Sequence, residues 1–213
     1  MVNQEKIEKA YCADHTSSLP PELEAIERQA FLTTTNPGLL TGPYTGRFLM
    51  MVSQMLKPES VLEIGTFTGY SAICLATGLQ EGGQLITIEV NLEREKVIRQ
   101  NLEATGQAGN VKLVIGDALE ILPDMNKTFD LIFIDGNKLE NQKYFDAVFP
   151  NLRIGGFLLV DNVLWYGKVA ANASDKDSVS IRTFNKNIQK DQRLENILLP
   201  IGDGLLLLRK LKD

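Results

Sequence analysis

Apolar positions fall along this chain in two alternating rhythms from residue 61 onward. Val61, Leu62 and Ile64 make a short apolar run suited to a strand covered on both faces, and residues 70–79 continue at helical spacing. The alternation predicts a strand over 84–89, a helix over 92–105, a strand over 111–115 and a short helix over 118–125. It continues with a strand over 129–135, a helix over 140–152 and a strand over 156–161 after the turn at Gly155-Gly156. A polar loop, 170–178, leads to a helix over 179–190, a strand over 194–200, the turn Gly202-Asp203-Gly204 and a strand over 205–211. The last two strands read as a hairpin. Upstream, 3–11 and 21–31 carry apolar and charged residues at helical spacing, with Pro20 and Pro21 placed to start the second helix. Residues 33–46 are rich in turn formers and read as a loop before an apolar helix, 48–56, that stops at Lys57-Pro58. A loop in that position is expected to act as a lid.

Strands alternating with helices require a mostly parallel sheet with helices on both faces, and the hairpin must add an antiparallel strand at one edge. The expected fold is therefore α/β, a Rossmann-like seven-stranded, mostly parallel sheet with a C-terminal antiparallel hairpin. It is expected to form one domain over 1–213, with 1–57 as N-terminal helices and a lid or substrate-side segment. Composition narrows the partners. The 213 residues are 44% hydrophobic, enough for one sizeable core, and Lys+Arg of 22 against Asp+Glu of 27 leaves a net charge of -5 without a basic cluster. That argues against nucleic acid and for a small molecule. Cys12 and Cys74 show neither disulfide nor zinc-ligand spacing, so idle thiols are expected. The N-terminus is charged and no apolar run is long enough to span a bilayer, so no membrane association and a cytoplasmic location are expected.

Ligands in such sheets sit outside the carboxyl ends of the strands. The residues there are Gly65, Glu89, Gly116-Asp117, Asp135 and Asp161-Asn162, so four of the first five strands end on or next to an acid. One such acid reads as a cap for the next helix or turn; the set reads as a site. Gly65 and Gly69 permit a ligand to approach the backbone, and Glu89, 20 residues beyond Gly69, stands where nucleotide folds put an acceptor for ribose hydroxyls. Asp117 reads equally as an adenine contact or as a cap of its own helix. If the strands before Asp135 and Asp161 are neighbours, their backbones lie roughly 4.8 Å apart. Either one carboxyl is then protonated or a cation sits between them, and an oxygen set that includes Asn162 suits a hard ion such as Mg²⁺ or Ca²⁺. Lys138 would point into the same crevice, where neighbouring positive charge lowers a lysine pKa toward that of a general base. His15, the only histidine, reads as a surface residue. Trp165 and Tyr166 read either as walls of an aromatic-substrate pocket or as core or interface.

E-I-G-T-F-T-G-Y-S (63–71), I-T-I-E (86–89), G-D-A (116–118), F-I-D-G-N-K (133–138), D-N-V-L-W-Y-G-K-V (161–169) and L-P-I-G-D-G-L (199–205) occur in order along the chain. From about Thr41 to the C-terminus the sequence resembles the cation-dependent O-methyltransferases, which include the caffeoyl-CoA and catechol enzymes. The resemblance implies S-adenosylmethionine as methyl donor, with Glu63, Gly65, Phe67 and Ser71 around its methionine and ribose and Glu89 on the ribose hydroxyls. Asp117 and Ala118 would lie near adenine, and Asp135 would also touch the donor. Asp135, Asp161 and Asn162 would be ligands of a divalent cation, Mg²⁺ first and Ca²⁺ or Mn²⁺ as alternatives. Lys138 takes the base position, and Thr41 stands near metal and donor. A homodimer and a catechol-like acceptor, such as a free catechol, a flavonoid or a caffeoyl ester, are also implied. The chain departs from the family pattern at Gly136 and Asn137, where A-D is usual, and at Thr45, where glutamate is usual. No clear counterpart exists for the animal enzyme's acid near Ile197, although Glu195 is close in sequence.

Two other readings compete. A nicotinamide-dependent oxidoreductase fits the strand, turn and Glu89, but Gly65 and Gly69 lack the middle glycine of G-x-G-x-x-G. A non-catalytic S-adenosylmethionine-binding regulator is kept open by Gly136 and Asn137.

Overall fold

The computed structural model describes residues 4–213. Three helices, α1 (Gln4–Asp14), α2 (Pro21–Thr33) and α3 (Pro43–Leu56), precede β1 (Ser60–Ile64). There follow α4 (Tyr70–Ala76), β2 (Gln84–Glu89), α5 (Glu95–Ala104), β3 (Val111–Ile115), α6 (Ala118–Ile121), β4 (Phe129–Ile134) and α7 (Asn141–Val148). The chain finishes with β5 (Leu152–Asp161), α8 (Lys176–Lys190), β6 (Leu194–Leu199) and β7 (Leu205–Lys210). The sheet order is β3-β2-β1-β4-β5-β7-β6, with β1 to β5 mutually parallel and β7 antiparallel to both its neighbours.

Strand periodicity explains how the sheet is covered. In β4, Leu131 and Phe133 enter one apolar layer with Leu49, Tyr70 and Leu75, while Ile132 and Ile134 enter the other with Phe145, Phe149 and Phe184. Every residue of β1 is buried, so its carboxyl end opens at the middle of the sheet. The antiparallel strand is not the edge, as the sequence suggested. β7 lies between β5 and β6 because Leu205, Leu206 and Leu208 are buried, whereas β6 leaves 195–198 exposed and tolerates an edge.

Several boundaries also move. α3 starts at Pro43 and not at 48, because proline suits a first helical turn, and Gly46 is helical. A Cβ at Gly46 would stand 2.9 Å from Tyr70 Cε1, so the missing side chain lets α3 pack on α4. α8 starts at Lys176 because the Asp175 carboxylate accepts the Ser178 N–H at 3.2 Å. The helix expected over 140–152 ends at Val148, a short 3₁₀ turn follows over Phe149–Asn151, and β5 begins at Leu152. Similar 3₁₀ turns occupy Leu92–Arg94 before α5 and Leu122–Asp124 after α6, and α4 stops at Ala76. Asn3, the expected first residue of α1, lies outside the described residues. Among the described residues, no helix is long and apolar enough to cross a membrane.

Candidate active site

The turn after β1 is tied to the strands on both sides of it. Gly65 N–H donates to the Ile88 carbonyl at 2.9 Å, and Asp135 N–H donates to the Ile64 carbonyl at 2.8 Å. Gly65 has φ +93°, and a Cβ there would lie 2.4 Å from the Asp135 carbonyl oxygen. Only glycine fits that approach. Phe67 also takes a left-handed conformation, φ +53°, and its N–H donates to Glu89 Oε2 at 2.8 Å while Asn91 N–H donates to Oε1 at 2.9 Å. Both oxygens of this buried carboxylate are thus aimed by the backbone at the mouth of the turn. Asn101 of α5 donates its amide to the Thr68 carbonyl at 2.8 Å and fixes the rest of the loop. The Arg94 guanidinium lies over the Phe67 ring, 4.1 Å from its centroid.

Glu63 sits below this turn, wholly buried. It accepts the Thr87 hydroxyl at 2.5 Å, and Thr87 is itself hydrogen-bonded to Thr66. Burial pushes the Glu63 carboxyl up to about 8, against the pull of the Ser71 and Thr87 hydroxyls and with a push from Asp135 and Glu89. Glu63 therefore braces the turn from below.

At the ends of β4 and β5, which pair directly, the chain gathers its other acids. Lys138 Nζ donates to Asp135 Oδ1 at 2.5 Å. Burial pushes the Asp135 carboxyl up and the Lys138 charge draws it back. Asp161 is almost fully buried and accepts the N–H of Asn162 at 2.7 Å. Burial first, and then the charges of Asp135 and Asp203, push its carboxyl up to about 7, against Lys138 and the Asn162 N–H. Asn162 at φ +60°, Trp165 at φ +49° and Tyr166 at φ +54° all take the left-handed conformation in this loop. The Trp165 and Tyr166 rings lie 5.4 Å apart.

A cavity of about 570 Å³ joins the two halves. Gly65, Phe67, Ser71, Glu89 and Arg94 line one side; Asp135, Lys138, Asn162, Trp165 and Tyr166 line the other. The loop before α3 closes a third wall with Asn36, Leu39, Leu40 and Thr41. Residues 13–211 match the O-methyltransferase family. The chain belongs to the O-methyltransferase family.

Its relatives agree. It is 30% identical to caffeoyl-CoA O-methyltransferase 2 of Populus trichocarpa over 92% of this chain and 86% of that one. It is 31% identical to the caffeoyl-CoA O-methyltransferase of Populus kitakamiensis, over 92% and 90%. Among solved structures, the Bacillus cereus O-methyltransferase in complex with SAH superposes with a TM-score of 0.85 at 30% identity, covering 94% of this chain and 96% of that chain. TomG of Streptomyces achromogenes, solved with SAM, superposes with a TM-score of 0.87 at 28% identity, over 99% and 100%. The chain is thus an O-methyltransferase on a class I, Rossmann-like fold, and the nicotinamide reading falls.

Within this O-methyltransferase the expected site residues do not all reach the cavity. Asp117 is exposed and caps α6, its carboxylate accepting the Leu119 N–H at 2.8 Å, and Ala118 is buried behind it. Neither lines the cavity; nor do Glu63 and Asp161, which lie beneath it. Thr45 is buried against the hairpin turn, where a Cβ on Gly202 would stand 2.7 Å from its Oγ1. Glu195 pairs with Arg209 at 3.1 Å on the edge hairpin and is not part of the cavity wall. Gly136 leaves room for Tyr144, whose Cε2 would be 3.0 Å from an added Cβ. Asn137 caps the turn that carries Lys138 by accepting the Leu139 N–H at 3.2 Å. His15 is exposed and stacks on Tyr11; Cys12 is exposed, Cys74 is buried, and both thiols are free. Sequence reasoning missed Arg94, whose only signal was its place in the turn after Glu89, and Asp203, which stood in the open in I-G-D-G.

Proposed function

We propose that this O-methyltransferase transfers the methyl group of S-adenosylmethionine to one hydroxyl of a catechol-like aromatic, with a divalent cation at the acceptor. One observation carries the reading. A single cavity holds both a glycine turn whose ribose-type acid is fixed by two backbone N–H groups and an oxygen-rich corner with a lysine beside it. The SAH of the Bacillus cereus enzyme and the SAM of TomG support the choice of donor.

Glu89 would hold the ribose hydroxyls, while Gly65, Phe67 and Ser71 would surround the methionine and ribose, with Glu63 bracing them from below. Asp117 and Ala118 would border the adenine, and Thr41 and Asp135 would lie where donor and acceptor meet. The donor set fits a hard cation: the half-buried Asp135, paired with the Lys138 ammonium, and the buried Asp161 end neighbouring strands, and the Asn162 side-chain oxygen would add a neutral donor. Mg²⁺ is the expected ion, with Ca²⁺ or Mn²⁺ as alternatives. Bound there, it would lower the pKa of a chelated hydroxyl. Lys138 would accept the hydroxyl proton, and the methyl group would pass from the donor sulfur to that oxygen, leaving S-adenosylhomocysteine. Trp165 and Tyr166 would flank the acceptor ring.

Methyl transfer from labelled S-adenosylmethionine to a panel of a free catechol, a flavonoid and a caffeoyl ester, with chelator added and Mg²⁺ restored, tests the reading. Transfer to a vicinal diol that stops with chelator and returns with Mg²⁺ is expected. Transfer indifferent to chelator removes the cation, and donor binding without any turnover favours the regulatory reading.

The assembly we propose is a homodimer through the N-terminal helices. Tyr11, Phe31, Leu32, Met51 and Met55 stand exposed along α1, α2 and α3 and support it. Sedimentation that shows only a monomer at micromolar concentration would remove it. The two free thiols fit the reducing cytoplasm, the location we propose.

A further inference from the structure

We infer that Asp203, in the turn between β6 and β7, is a positioning residue that holds Trp165 and Tyr166 as the wall against which the aromatic acceptor stacks. The inference rests on the catechol-like acceptor proposed above, and its observations are independent of that proposal.

The turn is brought to the loop by register. Asp161 pairs with Leu205 across β5 and β7, so the residues just before Leu205 lie beside those just after Asp161. Val163 N–H donates to the Gly204 carbonyl at 3.0 Å, Leu164 N–H to the Asp203 carbonyl at 3.0 Å, and Tyr166 N–H to Asp203 Oδ1 at 2.6 Å. Three N–H groups of one short loop are thus taken by two residues of the turn. The packing is close: a Cβ on Gly204 would stand 2.8 Å from Leu164 N.

The loop needs this support. Trp165 and Tyr166 are consecutive large residues in the left-handed region, at φ +49° and +54°, a conformation that is unfavourable for such side chains unless the surroundings impose it. Asp203 Oδ1 imposes it at the second of them through a charge-assisted bond. Tyr166 itself is 74% exposed, so packing does not hold its ring. The strained pair lines the same cavity as Leu39, Leu40, Lys138 and Asn162. The side chain that fixes the backbone of this pair therefore decides where an acceptor ring can lie.

Trp165 is the only tryptophan of the chain and reports on the loop directly. In Asp203→Asn the side-chain oxygen still accepts the Tyr166 N–H; in Asp203→Ala nothing does. Emission and acrylamide quenching of Trp165 are measured without ligand, then KM and kcat for the catechol acceptor and the Kd of S-adenosylhomocysteine. D203A is expected to roughly double the quenching constant and to raise acceptor KM about tenfold, the size of one lost charge-assisted hydrogen bond, with Kd changed less than about twofold. D203N, which keeps the acceptor but not its charge, is expected to lie closer to wild type than to D203A in all of these. A folded D203A with wild-type quenching and KM, or a D203N as impaired as D203A, overturns the inference. If D203A does not fold, Asp203→Ser, whose shorter hydroxyl falls short of Tyr166, is read in the same way. Absence of methyl transfer by the wild type to any catechol would count against the proposed function, while the Trp165 readings would still decide the role of Asp203.

Discussion

The Lys138 ammonium stands 2.5 Å from Asp135 Oδ1, and each of the two side chains is only 12% exposed. A lysine held this way is a donor to its partner carboxylate. To act as a base it must be released, and a cation that takes the carboxylate is the means the neighbouring acids suggest. Lys138→Ala is therefore expected to lower kcat about 10²- to 10⁴-fold, the range for loss of a general base, with S-adenosylhomocysteine affinity within about twofold of wild type. Single-turnover methyl transfer and calorimetric titration check the two halves; an unchanged rate removes Lys138 from the chemistry.

Glu89 is the acid on which the donor side turns. Its two oxygens already accept the N–H groups of Phe67 and Asn91, so its removal takes away the proposed ribose acceptor and leaves both N–H groups without their partner. Glu89→Ala is expected to weaken S-adenosylhomocysteine binding about 10- to 100-fold. Isothermal titration reads this, and an affinity equal to wild type would place the ribose elsewhere.

Glu63 makes stability depend on pH. Burial pushes its carboxyl from 4.5 to about 8 in the folded protein, so between those values the folded chain keeps a proton that the unfolded chain releases. Stability must then fall as pH rises through that window, by at most about 1.4 kcal/mol per pH unit from this group. Asp161, pushed up to about 7, adds a slope of the same sign. Glu63→Gln is expected to flatten the fall in Tm between pH 5 and pH 8 relative to wild type. Parallel curves for the two proteins would show that Glu63 is ionised when folded.

Lys210 is a cation in the core, only 2% exposed. Its Nζ donates to the carbonyls of Phe149 and Leu152 at 3.0 and 2.9 Å and so closes the end of the α7 segment against β7. Its bond to Asp213 at 2.7 Å counts for little, because that carboxylate is 80% exposed. Lys210→Met keeps the apolar stem but leaves two buried carbonyls without a donor, at an expected cost of about 1–3 kcal/mol. Urea unfolding at fixed pH measures it; a midpoint equal to wild type would mean that water replaces the ammonium.

The strand ends were legible from sequence because local rules govern them. An apolar run buried on both faces must stop where polar residues begin, and in a parallel sheet that stop is where ligands meet the chain. Gly65, Glu89 and Asp135 stand at such stops, Lys138 follows three residues beyond the last of them, and all four line one cavity. Capping was also local: the Asp117 carboxylate accepts the Leu119 N–H at the start of α6. What lay beyond the sequence was every relationship set by register or by packing between distant segments. That α3 runs through Gly46 depends on Tyr70, which fills the space a side chain would need. That β7 lies inside β6 depends on which strand of the hairpin is the more fully buried. Asp203 reaches Tyr166 across 37 residues only because Leu205 pairs with Asp161. A sequence pattern carries periodicity and backbone preference, so by itself it determined the elements and the acids at their ends. Which of those ends meet, and which turn holds the loop between them, is a property of strand order and register, and only the tertiary structure decided it.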